Sequence, residues 1–174
     1  MNETPEQFAT RHHAGQVRKY TGEPYINHPK WVRNLVASVN HSQAMLDAAI
    51  LHDVVEDTEA TIEEVFSRFG PDVEQLVREL TYTSKSTEGN RAQRKALDLA
   101  HTAAASADAQ TIKLADVIHN VPSIVENDPK FARVYVREKW ELMDVLRKGD
   151  PALYKHAVEV LQWADAKLDT PEGY

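Results

Sequence analysis

A chain of 174 residues, 42% apolar and 27% charged, has the proportions of an ordinary globular protein and is long enough for one domain with a real core. The formal net charge of −7 argues against a polynucleotide partner, and no apolar run approaches the ~20 residues of a membrane span. Cysteine is absent, which excludes disulfides and thiolate metal sites. The acidic, polar start M-N-E-T-P-E-Q-F is unlike a signal or transit peptide, so the cytoplasm is the expected compartment.

Thr4-Pro5-Glu6 supplies an N-cap, a first-turn proline and an acid that complements the helix dipole, and so predicts a helix from Pro5 to about Arg18. His12 and His13 fall inside it and receive no ligand role. Residues 19–29 form a turn-rich loop punctuated by Gly22, Pro24 and Pro29, with His28 just before a helix predicted over about 29–39. A central helix follows over about 43–56. Thr61 and Glu64 make a capping box for a helix at 62–69, and Gly70-Pro71 starts another that runs to about Leu80. Residues 83–90 read as an exposed loop, and a basic helix start carries Arg91, Arg94 and Lys95. The Ala-rich stretch 96–109 favours helix, with a break near 106–108. Helices at 111–122, about 129–148 and 151 to about Leu168 complete the chain, with residues 171–174 as a loose tail. No stretch alternates as a strand would. The expectation is an all-α single domain.

The stretch 49–58, A-I-L-H-D-V-V-E-D-T, is where chemistry concentrates. His52, Asp53, Glu56 and Asp57 stand among apolar residues, where burial of unpaired charge costs several kcal/mol. On a continuous helix, spacings of four place His52 above Glu56 and Asp53 above Asp57. A salt-bridged structural pair is one reading of a lone His-Asp; four such residues within six positions favour a divalent cation. Imidazole with carboxylate suits Mn, Fe or Zn, and two carboxylates are left over for proton handling. His28 and Asp116, at a helix start and on an apolar helix, complete a candidate ligand set with His52 and Asp53.

Four motifs carry a family resemblance: R-K-Y-T-G-E-P-Y-I-N-H-P (18–29), L-H-D-V-V-E-D-T (51–58), the F-G of 69–70, and K-L-A-D-V-I-H-N (113–120). They span more than half the chain. With them the sequence resembles the HD-domain metal-dependent phosphohydrolases, in particular the hydrolase domain of the RelA/SpoT alarmone enzymes and the stand-alone small alarmone hydrolases. The resemblance implies one HD-type helical bundle of about eight to ten helices over residues 1–170. It implies that His28, His52, Asp53 and Asp116 bind a metal, usually manganese, and that Glu56 and Asp57 position or deprotonate the attacking water. Arg18 and Lys19 would contact the substrate's nucleotide or phosphate groups, and Asn120 would line the pocket. The implied reaction removes the 3′-pyrophosphate of a guanosine nucleotide, (p)ppGpp, leaving GDP or GTP. The synthetase and regulatory domains of the long family members are not expected, since the chain ends six residues after the last predicted helix.

A leaving pyrophosphate needs cations, and Arg91, Arg94 and Lys95 join Arg18 and Lys19 as candidates, with a solvated surface face as the other reading of the first three. Tyr135 and Trp140 are aromatic candidates for base stacking or for core packing. The family often continues K-L-A-D with Asn-Leu-Arg, whereas this chain has Asn120-Val121-Pro122-Ser123, and the segment 82–95 also departs from the long enzymes. Both departures surround the substrate rather than the metal. Rival readings are therefore the same machinery acting on NADPH or a 3′-phosphorylated adenosine nucleotide, and a non-catalytic nucleotide-binding regulatory module.

Overall fold

A computed structural model describes residues 3–82 and 90–169, apart from the Arg91 side chain. The described residues form ten helices and no strand, which bears out the all-α expectation. α1 (Pro5–His12) opens on the Thr4–Gln7 capping box. It is shorter than the predicted helix to Arg18, because Gly15 adopts φ +80, a left-handed conformation that ends a helix at little cost only for glycine. The chain then turns through a loop closed by the Val17–Pro24 bridge, with the Arg18 N–H donating to the Glu23 carbonyl at 2.8 Å.

α2 (Asn27–Val36) begins two residues before Pro29, so His28 lies inside its first turn rather than ahead of it. A proline among the first helical positions removes an N–H that has no intrahelical partner, so it does not mark the helix start. The predicted helix 43–56 is broken in two. α3 (Gln43–Leu51) buries Met45, Leu46 and Ala48 to Leu51, as a helix running through a core must. α4 (Val54–Asp57) is a single turn, and His52 and Asp53 form the joint, with Asp53 at φ −100, ψ −6.

α5 (Ile62–Phe69) carries the predicted Thr61–Glu64 capping box, and Gly70 at φ +87 turns the chain into α6 (Pro71–Leu80). α7 (Arg91–Ala104) starts at the Asn90 cap. Ser106 caps α8 (Ala107–Asn127), close to the expected break. α8 runs through Pro122 rather than stopping there. An interior proline costs about 3 kcal/mol, and the flanking Val121 and Val125 are both buried in the core, which offsets it. α8 is the axis of the molecule, packed against α2, α3, α6, α9 (Pro129–Val145) and α10 (Pro151–Asp169). The α9–α10 turn presses onto α8 at Gly149, where a Cβ would come within 2.7 Å of Leu114 Cδ1. The expected tail, residues 171–174, lies outside the described residues.

Candidate metal centre

The break between α3 and α4 has a chemical consequence. Adjacent residues on a continuous helix diverge and cannot face one point. At the joint they converge: His52 Nε2 lies 3.0 Å from Asp53 Oδ2. α2 brings His28 Nε2 to 3.5 Å from the same oxygen, and α8 brings Asp116 Oδ1 to 3.3 Å from His28 Nε2 and 3.9 Å from His52 Nε2. The ligand atoms of His28, His52 and Asp53 all lie within 4.8 Å of one another, a group able to hold a metal ion. Of the spacing-of-four argument, only the second pair keeps its helical turn, with the Asp57 N–H donating to the Asp53 carbonyl at 2.8 Å.

The protonation pattern tests whether a cation fits. His52 is 2% exposed, and its Nδ1 sits 2.9 Å from the Ala49 carbonyl oxygen, which can only accept, so Nδ1 carries the proton. The lone pair on Nε2 therefore faces the carboxylates, and that buried nitrogen has no hydrogen-bond partner. A lone pair against carboxylate oxygens is repulsive unless a proton or a cation stands between them. With no cation, burial disfavours the imidazolium of His52, but Asp53 and Asp116 outweigh burial and lift its pKa to about 9. Burial works against ionised Asp53 as well, and His52 outweighs it, holding that carboxyl below the usual range. For Asp116 burial is outweighed by Lys113 and then His28. The donor set of two imidazoles and two carboxylates fits a divalent cation of intermediate hardness.

Each donor is held by another group. Asn120 Nδ2 donates to Asp116 Oδ1 at 2.5 Å, and Arg18 Nη2 donates to Asn120 Oδ1 at 2.8 Å, so the two motifs at 18–29 and 113–120 meet in one chain of hydrogen bonds. Lys113 Nζ lies 3.4 Å from Asp116 Oδ2 and 4.6 Å from the Tyr82 ring centroid. The Tyr25 hydroxyl stands 2.7 Å from Asp53 Oδ2 and 3.0 Å from Asp57 Oδ2, donating its one proton between them. His28 Nδ1 meets His119 Nδ1 at 2.7 Å. Tyr25, Lys113 and His119 received no role from the sequence. Their signal was present: Tyr25 lies inside the first motif, and Lys113 and His119 stand three residues on either side of Asp116, on its helix face.

Glu56 and Asp57 follow within one turn of Asp53 on the solvent side. Burial raises both carboxyls, although Lys113 pulls Glu56 back and Tyr25 pulls Asp57 back. The Tyr82 N–H reaches Glu56 Oε2 at 3.4 Å. The expected cations are dispersed. Arg18 borders the centre through Asn120. Lys19, 73% exposed, is drawn to the α8–α9 junction, 3.1 Å from the Tyr20 hydroxyl and 3.6 Å from Asp128 Oδ2. Lys95 Nζ pairs with Glu138 Oε2 at 3.2 Å across a cleft of about 580 Å³ between α7 and α9. A narrower recess beside it is lined by Tyr82, Lys95 and Lys139, so Tyr82 links that cleft to Glu56. Arg94 is half-buried on the same helix, and the Arg91 side chain lies outside the described residues. Of its two readings Trp140 takes the packing one, lying against the core with its indole N–H donating to Asp165 of α10 at 2.8 Å. The Tyr135 ring is instead half-buried with Lys139 Nζ 4.7 Å from its centroid.

Fold and centre together define a helical domain whose His and Asp side chains converge from α2, the α3–α4 joint and α8. A family model described as HD domain matches residues 6–147, and the chain belongs to that family. It is 43% identical over 126 residues to the Drosophila melanogaster guanosine-3′,5′-bis(diphosphate) 3′-pyrophosphohydrolase MESH1, covering 71% of this chain and 69% of that protein. The human MESH1 protein of the same description is 34% identical over 162 residues, covering 89% and 87%. A solved structure described as a metazoan ortholog of SpoT that hydrolyzes ppGpp and plays a role in starvation responses superposes with a TM-score of 0.81. It is 33% identical and the match covers 91% of this chain and 92% of that one. No helix among the described residues is long and apolar enough to cross a membrane.

Proposed function

We propose that this protein is a manganese-dependent phosphohydrolase that removes the 3′-pyrophosphate of guanosine tetra- or pentaphosphate, leaving GDP or GTP, and works in the cytoplasm. The observation that carries the reading is the convergence of His28, His52, Asp53 and Asp116 on one point, with Glu56 and Asp57 on the adjoining turn. Relatives that align over most of this chain carry that activity in their names, which supports the choice of substrate. Residues 1–170 act as one domain in this reading.

His28, His52, Asp53 and Asp116 would hold the ion. When bound, manganese supplies Lewis acidity, making water a nucleophile near neutral pH and polarising a phosphoryl oxygen. Glu56 accepts the proton of the attacking water, for which a carboxyl raised by burial is better matched than a free one. Asp57, steadied by the Tyr25 hydroxyl, orients that water. Arg18 and Asn120 face the substrate at the rim of the centre while they hold Asp116 in place. Arg91, Arg94 and Lys95 offer positive charge to the pyrophosphate from α7, and Lys19 is an outer cation.

The test is a substrate panel with purified protein and Mn²⁺: ppGpp, NADPH and a 3′-phosphorylated adenosine nucleotide, with products separated by chromatography. Release of GDP and pyrophosphate from ppGpp in preference to the others is the expected result. Preferred turnover of NADPH or the adenosine nucleotide would reassign the substrate. Tight nucleotide binding without turnover would make the protein a regulatory module instead.

A further inference from the structure

We infer that His119 is a positioning residue that sets the tautomer of His28, and that both rings change which nitrogen carries their proton when a divalent cation is bound. The inference rests on the metal reading above and concerns two side chains of this protein. His28 Nδ1 and His119 Nδ1 are 2.7 Å apart. At that distance one nitrogen must donate and the other accept, since two lone pairs or two N–H groups face to face repel.

His28 can meet that condition in two ways. With no cation, its Nε2 lies 3.3 Å from Asp116 Oδ1, which can only accept, so the His28 proton sits on Nε2. Nδ1 of His28 is then a lone pair, and His119 must donate from its own Nδ1. With a cation bound, Nε2 of His28 gives up its lone pair to the ion and its proton sits on Nδ1. That N–H then donates to His119 Nδ1, whose proton sits on its Nε2. Each ring carries one proton in both states, so the pair neither takes up nor releases one.

His52 shows why this arrangement is distinctive. Its Nδ1 faces the Ala49 carbonyl, an acceptor in every state, so its tautomer is fixed by the backbone. His28 has no such fixed acceptor and depends on a partner that can both donate and accept. Packing on Trp31 holds His119 in place to do both, the two rings lying 4.5 Å apart, centroid to centroid. The His119 and His28 rings lie edge to edge at 4.8 Å, as a hydrogen bond between in-plane nitrogens requires. Outer partners of this kind fix ring orientation, and removing one typically weakens metal binding about 10- to 100-fold.

The experiment is nitrogen-15 NMR of histidine-labelled protein, titrated with Zn²⁺ as a diamagnetic probe. The expected result is a His119 proton on Nδ1 without the ion and on Nε2 with it. A His119 that keeps its Nδ1 proton in the loaded protein would overturn the inference. Calorimetric Mn²⁺ titration gives an independent readout. His119→Phe, which keeps a ring against Trp31 and removes the acceptor, should bind about 10- to 100-fold more weakly. His119→Asn, whose Oδ1 accepts in place of Nδ1, should recover most of that loss. Wild-type affinity in the Phe variant would overturn the role. Failure of the wild-type protein to bind either ion would instead overturn the metal reading beneath it.

Discussion

His28, His52 and Asp116 are buried among α2, α3 and α8, and each is gripped by a further protein group: His119, the Ala49 carbonyl, and Asn120 with Lys113. Across the Tyr82 backbone, the α7–α9 cleft is built differently. Its Lys95 is 40% exposed and is paired with the Glu138 carboxylate. Buried polar groups tolerate one geometry because leaving any of them unpaired costs about 1–3 kcal/mol, whereas an exposed ion pair contributes ~0–1 kcal/mol and can rearrange. The centre is therefore specified by the fold before any ligand arrives. The cleft is left for the ligand to organise.

Substitutions on the two sides should differ by orders of magnitude. Asp53→Ala removes the oxygen that lies 3.0 and 3.5 Å from the two imidazole nitrogens, and should abolish both Mn²⁺ binding by calorimetry and turnover. Glu56→Gln should leave Mn²⁺ affinity intact while kcat falls about 10²- to 10⁴-fold, the span of general base catalysis. Full turnover in that variant would show the base to be elsewhere.

A pH profile sharpens the same division. Burial raises Glu56 above its ordinary 4.5 and Asp57 above 3.8. A base works only when deprotonated, so kcat should rise as pH climbs through the raised value, and the acid limb should lie above pH 4.5. An acid limb below pH 4 would contradict the assignment. The smallest effects belong to the outer cations. Arg18→Ala breaks the hydrogen bond to Asn120 and should lower kcat/KM about 10- to 100-fold, from the ~1.5–3 kcal/mol of charge-assisted bonds. Lys19→Ala should change it by less than about threefold, as suits an exposed ion pair. Reversal of that order would mean the ligand draws Lys19 away from Asp128.

The same contrast governs what could be read in the sequence. His52, Asp53 and Asp116 were legible because charged groups on apolar helices demand compensation, and the N-cap at Thr4 and the capping box at Thr61 were legible because they are local. The joint at His52–Asp53 was not. Helical periodicity continues through it, and only the tertiary requirement that two neighbouring side chains face one point breaks the helix there. Pro29 and Pro122 mislead for a related reason. One occupies a helical position that needs no N–H, and the other is carried by the packing of Val121 and Val125. The prediction for α1 overshoots because the helix ends at His12, ahead of Gly15, whose left-handed backbone is a stronger signal than the pattern beyond it. Tyr25 and His119 are marked by their places in the motifs but not by their partners, since a hydrogen bond between residues 28 and 119 cannot be read from spacing. The cations of α7 are legible only as charges, because nothing local fixes where an exposed side chain points.

The most direct test of the whole account is ppGpp hydrolysis by one preparation of the protein, measured with Mn²⁺, after chelation and after Mn²⁺ is restored. The account predicts release of GDP and pyrophosphate that stops on chelation and returns with the ion. Release that persists in the chelated protein would contradict the role given to the His28, His52, Asp53 and Asp116 centre.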